Sequence, residues 1–495
     1  MARYFDEPDE NDDGAFISIR FNDIIPQHHP ARYIKKFIGL VDVSKFEEKY
    51  EIGPGKVGRP PKSIRLMLGV ILYAIYSRIY SAHKIDTATY TYSDFWFFTH
   101  KKRISHDKIS KFIIKHEKEI MNIFLETIVL AEKNNLLNFE ALFQDGFFMK
   151  ANASKEKNRT LKGLEKRKEK FHEILEELLS KLKDEELTEE QEKLNIKKMK
   201  VEKEIETIDH LKETLNNRIK AYSQKDCPSE LEDRKQKTCV NLTDKDAELG
   251  RNKNHGFDNM YTKVTAMDSE ADILVASHVS GHNDEPHIMF PLMKKANVNC
   301  SREYTKGVAD AGFNTKGTSV QFEAHGWELI APTKQHENET RNKDKYKNAI
   351  KFEYDELAHC VKCSQGKTLD QFEKYYDSRH GTMMYTFFNK KVCAGCKRIN
   401  ECTRSKKGFK KIKIDSRTSS QQRVLNQYLS DDGKTIYKKR SHVAETFQGD
   451  LKKNGNFHQL LRRGLDKVRV DSQFHDIVWN LRRIFNSTKG RIVWS

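Results

Sequence analysis

The sequence predicts an α/β protein: a mixed-sheet core, a helical domain before it and two insertions within it. Three observations carry that expectation. Strand-like and helix-like patterns alternate from residue 223 to about 350, which argues for a mixed sheet. Residues 63–137 read as helix throughout. Composition changes abruptly near Ser154, where a Lys-, Glu- and Leu-rich stretch begins, and again near 355, where cysteines crowd together. The expected division is a helical domain over 1–137 and a core split into 138–153, 223–354 and 410–495. A helical hairpin over 154–222 and a Cys-rich module over 355–409 interrupt the core.

Length and charge bound the function. A chain of 495 residues can bury a substantial core. Lys and Arg number 89 against 72 Asp and Glu, a net charge of +17 that suits a polyanionic partner such as nucleic acid. The opening MARYFDEPDENDDG is acidic and polar, unlike a secretory signal. The longest apolar run, Leu66–Tyr76, is far short of the ~20 residues of a membrane helix. The expectation is a cytoplasmic protein that meets no membrane.

Taken in order, the segment after the acidic start, AFISIRFNDIIPQHHPARYIKKFI, looks extended. GPGKVGRPPK at 53–62 reads as a basic turn-rich linker. SIRLMLGVILYAIYSRIYS is apolar nearly all round, the pattern of a buried helix. Further helices are expected over HKIDTATYTYSDFWFF and, as one long helix, from SHDKISKF to about Leu137, with Ser105 and Asp107 as candidate caps. Residues 139–153 read as two strands around Asp145 and Gly146. In the charged stretch, Leu164, Phe171, Leu175, Leu178 and Leu182 recur at heptad spacing. So do Leu194, Val201, Ile205, Ile208, Leu215 and Ile219, with a restart signal at Thr188–Gln191. MYTKVTAMDSEADILVASHVS gives two strands joined by a turn at Asp268–Asp272, EPHIMFPLMKKANV a helix, and WELIAPT another strand. A long amphipathic helix closes the chain.

Chemistry concentrates on three acids. Asp145 in ALFQDGFFMKANA and Asp310 in KGVADAGFNTKG each end a short apolar run, as a carboxylate does at the C-terminal end of a buried strand. Glu445 lies in the basic, helix-like YKKRSHVAETFQGDLKK. Taken singly, each is more simply a surface acid. Gathered by a fold, three carboxylates form a site for hard divalent cations, which drive phosphoryl transfer. Tyr437, Arg440, His442 and Lys452 surround Glu445 and would contact phosphates flanking a cut. His255, His278, His282, His287 and Asp284 are scattered and read as surface or cap residues.

Cys360-x2-Cys363 and Cys393-x2-Cys396, with Cys402 close behind, have zinc-ribbon spacing. Four of these five cysteines would hold a structural Zn2+, and His359 is a further ligand to consider.

These segments resemble bacterial insertion-sequence transposases of the DDE class, from about residue 20 to 485. LMLGVILYAIYSRIYSAHKIDTATYTYSDFWFF resembles their N-terminal helical domain, QDGFFMKANASKEKN their first-aspartate segment, and VADAGFNT their second. HVAETFQGDLKKNGNFHQLLRRGLDKVRVD resembles their glutamate helix, and the Cys-rich insert resembles one seen in part of the group. Tyr437–Arg440 and Glu445–Lys452 keep the group's spacing, while the gap from Arg440 to Glu445 is one residue longer.

The resemblance implies a ribonuclease-H-like core in which Asp145, Asp310 and Glu445 are catalytic. They would bind two Mg2+ (or Mn2+) ions, with Tyr437, Arg440 and Lys452 on DNA. It implies a double-stranded DNA substrate (transposon terminal inverted repeats and target DNA), hydrolysis that frees 3′-hydroxyl ends, their transfer to target DNA, and a homodimer in the synaptic complex. Two other readings remain: a domesticated nuclease without strand transfer, and a non-catalytic zinc-containing DNA-binding regulator.

Overall fold

The computed structural model describes residues 20–50, 62–182, 189–223, 232, 235–252, 256–281, 285–347, 349–378, 381–455, 457 and 459–494. The acidic start, nearly all of the 53–62 linker, Thr188, His255, His282 and Asp284 lie outside the described residues. The chain divides into two compact units, Met1–Asn134 with Gln473–Ser495, and Asn135–Ser472. No described helix is long and apolar enough to cross a membrane.

The first unit is helical. Ile64–Tyr76 is its central helix, with every residue from Met67 to Ile75 buried, as its unbroken apolar sequence requires. The segment read as extended contains instead the helix Pro30–Leu40, because Pro30 presets the first turn and His29 Nδ1 accepts the Ala31 N–H. The single helix expected after Ser105 is two, His106–Lys115 and Glu117–Lys133, broken at His116. The His116 ring is fully buried against Tyr50, whose hydroxyl lies 3.0 Å from Nε2. Ser105 takes the cap position but makes no side-chain cap bond. Asp86 does the tethering there, accepting from Arg103 at 2.7 and 3.0 Å and from the His106 N–H at 3.1 Å. These bonds, the Arg103 pair foremost, hold its carboxyl down at about 2.

Residues 473–495, expected with the catalytic core, group with this helical unit. The reason lies in their side chains. Asn480 donates to Thr127 at 3.0 Å, Arg482 donates to the Tyr76 carbonyl at 3.1 Å, and the Phe485 ring meets Tyr33 edge-on.

The second unit is mixed α/β. Its described strands are β1 (Leu142–Lys150), β2 (Asn158–Arg159), β3 (Val240–Asn241), β4 (Glu248–Arg251), β5 (Phe257–Asp268), β6 (Ile273–Ser280), β7 (Lys306–Val308), β8 (Glu328–Ile330), β9 (Phe352–Asp355), β10 (Cys360–Cys363), β11 (Thr368–Leu369), β12 (Gln371–Asp377), β13 (Thr382–Phe388) and β14 (Ile412–Asp415).

The principal sheet runs β6–β5–β1–β7–β8, and β4 also pairs with β5. β5 is antiparallel to both β1 and β6, whereas β7 is parallel to β1 and β8 is parallel to β7. The helix Arg440–Lys453 packs on β1 and β5, and Glu285–Asn299 packs on β5 and β6. Where two strands were expected around Asp145, one continuous strand is found. Phe143 to Lys150 pair without interruption with β5, so Asp145 sits mid-strand and not at a strand end.

The hairpin leaves the core through the two-residue β2–β3 pairing, which closes its base. Its arms are Leu161–Lys181 and Glu189–Ser223. Leu164, Ile208, Leu211, Leu215 and Ile219 bury against Val240 near the base. Farther out the seam residues are only partly covered, and the surface is laced by pairs such as Lys168–Asp209 at 2.6 Å. The cysteine region forms two three-stranded sheets, β11–β10–β9 and β12–β13–β14, around Val361, Leu369, Phe387, Cys393, Phe409 and Ile414.

Candidate functional site

Strand register brings the two aspartates together. Phe143 pairs with Val308 across the parallel β1–β7 contact, and Asp145 and Asp310 each follow two residues later. The Gly146 N–H donates to Asp145 Oδ1 at 2.9 Å, and the Gly312 N–H donates to Asp310 Oδ1 at 2.7 Å. A Cβ at Gly312 would stand 2.9 Å from that oxygen, so glycine is what permits the close approach. In each carboxylate one oxygen is held by backbone and the other turns to Arg440.

The Arg440–Lys453 helix supplies the rest. Val443, Ala444, Phe447, Gln448 and Leu451 form its buried stripe, and Gln448 reaches the Gly146 carbonyl at 3.5 Å. Arg440 falls on that stripe. Glu445 and Lys452, seven residues apart, share an edge of the helix. Hence Arg440 is 12% exposed and Glu445 60%.

The Arg440 guanidinium sits among the three acids, 3.2 Å from Asp145, 3.7 Å from Asp310 and 3.7 Å from Glu445. Its Nε is buried with no hydrogen-bond partner among the described residues. Burial works against the arginine's charge, but Asp145, Tyr437, Asp310 and Glu445 outweigh it and hold the group above its ordinary value. For Asp145 burial wins. Its carboxyl is raised despite Arg440, and Asp310 and Glu445 add to the rise.

The other expected residues take separate places. Tyr437 lies on the preceding helix, Asp431–Lys438, half-buried with its ring edge-on to Tyr428 at 4.9 Å. Burial pushes its phenol up to about 12, although Arg440 opposes the shift. Lys452 stands 5.0 Å over the Phe147 ring, beside β1. His442 pairs with Asp272 at 3.5 Å. Tyr428 and Asp272 were not singled out in the sequence. For Asp272 the signal was present in the Asp268–Asp272 turn, where it adopts a φ of +52° that favours Asp over bulkier side chains.

In the cysteine region, burial raises the Cys402 thiol, and Cys393, Cys363 and Cys396 add to the rise from nearby. Cys360 instead lies buried at the start of β10 and acts on Tyr354 and Lys362. His359 is engaged elsewhere, with Nδ1 3.0 Å from the Tyr354 hydroxyl and its ring edge-on to Phe372, Tyr385 and Phe387. The described cysteines are all free thiols. Among the described residues, no three His, Cys, Asp or Glu side chains stand in an arrangement that would hold a metal ion without adjustment.

Comparison with known families gives two matches. Residues 362–485 match a family described as a transposase DDE domain, and residues 19–115 match one described as a transposase domain. The first match contains Cys363 to Cys402 and the whole Tyr437–Lys452 segment, while Asp145 and Asp310 fall outside both. A search of curated proteins finds no match.

Proposed function

We propose that this chain, which matches a transposase DDE domain over residues 362–485 and a transposase domain over 19–115, is an insertion-sequence DDE transposase that cuts transposon-end DNA with Asp145, Asp310 and Glu445 as the catalytic acids and joins the freed 3′-hydroxyl ends to target DNA. The observation that carries this reading is the convergence of three carboxylates, drawn from segments 165 and 135 residues apart, on a single guanidinium. The order and directions of the principal sheet favour a ribonuclease-H-like core, in which such acids gather across adjacent central strands.

The residues suit a hard divalent cation. Three carboxylate groups face one cation, so negative charge is in excess. Asp145, Asp310 and Glu445 would hold two Mg2+ or Mn2+ ions, and such ions lower the pKa of attacking water and offset charge on the leaving oxygen. The chain's own residues supply alignment. Gly146 and Gly312 fix the rotation of the two aspartates. Arg440 carries positive charge into a buried position where developing phosphate charge needs it. Tyr437 stands near Arg440 and Lys452 lies farther along the helix over Phe147; both would grip phosphates on either side of the cut. Two ends must meet for transposition, which favours a homodimer.

For the cysteine region, the neighbours of Cys402 favour Cys363, Cys393, Cys396 and Cys402 as a structural Zn2+ set, leaving Cys360 in the apolar interior. Four thiolates are the donor chemistry zinc prefers. Metal analysis of the purified chain should then find one zinc per protein. Cys402→Ser should lose it and Cys360→Ser should keep it; retention by both variants sinks the assignment.

The overall reading is tested by incubating the protein with end-bearing DNA, a plasmid and Mg2+. End cleavage followed by covalent joining of the 3′ end to plasmid is the expected result. Cleavage without joining would indicate a nuclease. DNA binding that needs no divalent ion and yields no cleavage would indicate a regulator.

A further inference from the structure

We infer that residues 390–413 of the cysteine region form a second DNA-backbone surface, separate from the carboxylate site. This rests on the reading that the chain acts on DNA, but it adds a contact that the three acids and their neighbours do not supply. Ten Lys or Arg stand in these 24 residues against one acid, Glu401. That is a local excess of nine, out of +17 for the whole chain.

Ordinary solvation does not account for it. The hairpin segment 154–222 is just as charged, yet it carries 18 Lys or Arg against 17 acids and pairs many of them. In 390–413 four cations are engaged among the described residues. Arg398 pairs with Glu401 at 2.6 Å and Lys411 with Glu373 at 3.1 Å, while Lys390 and Lys410 lie over Phe409 and Phe352. Lys391, Lys397, Arg404, Lys406, Lys407 and Lys413 are exposed and have no side-chain partner among the described residues. Six unneutralised cations held on a folded scaffold repel one another, and a polyanion relieves that repulsion.

The shape specifies which polyanion. Lys406 and Lys407 project from a tight turn closed by the Gly408 N–H on the Ser405 carbonyl, with Gly408 at a φ of +69°. Lys413 lies on β14, and its register partner Thr386 pairs in turn with Glu373 of β12, so Lys413 shares a sheet face with Tyr375. β12 is an edge strand that exposes Phe372, Tyr375 and Tyr376. Lysines on a turn and a sheet face, beside exposed tyrosines, suit sugar and phosphate contacts. An anionic membrane surface would call for an amphipathic helix with an apolar face, and the helices here are only Lys390–Ala394 and Ile399–Cys402. The contacts would hold DNA without reading its sequence.

The test is salt-dependent binding of the full chain to duplex DNA, using the triple variant Lys406→Gln, Lys407→Gln, Lys413→Gln. Each lost phosphate contact lowers the slope of log affinity against log salt by about 0.9. The triple variant should therefore lose about 2–3 units of slope, equally on end-bearing and unrelated duplexes. The double variant Lys406→Gln, Lys407→Gln, confined to the exposed turn, should lose about 1–2 units if the triple variant melts early. A wild-type slope in the double variant overturns the inference. So does a loss confined to vesicles containing anionic lipid, with DNA binding intact. Wild-type protein that binds no DNA would instead remove the transposase reading beneath it.

Discussion

Asp145→Asn should reduce metal-dependent cleavage of end DNA by at least about 10³-fold, because removing one member of a cooperating catalytic set removes most of its effect. The amide keeps the shape of the carboxylate and can still accept the Gly146 N–H, so the strand should stay in place. Duplex affinity in the absence of divalent ions should hold within a few-fold. The same variant should lose calorimetrically detectable Mn2+ binding. Cleavage at wild-type rate would show that Asp145 is a structural acid, and the proposed site would fall with it.

The pH dependence follows from the same side chain. Burial raises the Asp145 carboxyl above its ordinary value. A raised acid contributes stability while protonated and loses it as pH rises through the folded value. A cation binds only the ionised form. The stabilisation that Mn2+ gives to melting should therefore grow as pH rises from the acid range through that raised value, and Asp145→Asn should abolish the growth. A metal-induced shift that is flat across this range, or larger in acid, would contradict it.

Arg440→Ala should separate metal binding from catalysis. In the wild type the guanidinium occupies the space among the three carboxylates, with its Nε unsatisfied. Removing it leaves three acids with less counter-charge, so Mn2+ affinity without DNA should rise by about tenfold, or ~1.4 kcal/mol. Cleavage should nevertheless fall by about 10²-fold, the order seen when one charged transition-state contact is removed. Isothermal titration with Mn2+ and single-turnover cleavage would read the two effects. If both fall together, Arg440 holds the site open by packing and does not compete with the ion.

Much of this site was legible in the sequence, and the unread part has a physical explanation. Asp145, Asp310 and Glu445 were visible because glycine follows each aspartate closely and basic residues surround the glutamate. What could not be read was depth. Apolar residues on both sides of Asp145 suit a strand that ends there equally well as one that continues, and only the long partner β5 decides in favour of the latter. The break at His116 was hidden because helical periodicity continues across it. The fate of residues 473–495 depended on side chains hundreds of residues away, such as Thr127 and Tyr76, which local pattern does not report. The sequence set Arg440 beside Glu445 and assigned it to phosphate, and the structure brings its guanidinium within 3.7 Å of all three acids. Its position on the buried stripe follows from its helical spacing to Val443, Ala444 and Phe447.

The parallel pairing of Phe143 with Val308 has a consequence for how this chain tolerates change. Proximity of the two aspartates is set by two residues on each strand and is indifferent to the 164 positions between them. An entire coiled hairpin can be accommodated there without moving either carboxylate. A slip of one residue in β1 against its neighbours is a different matter, since alternation would turn Asp145 to the opposite face of the sheet. The site is thus permissive to large insertions and brittle to single-residue indels.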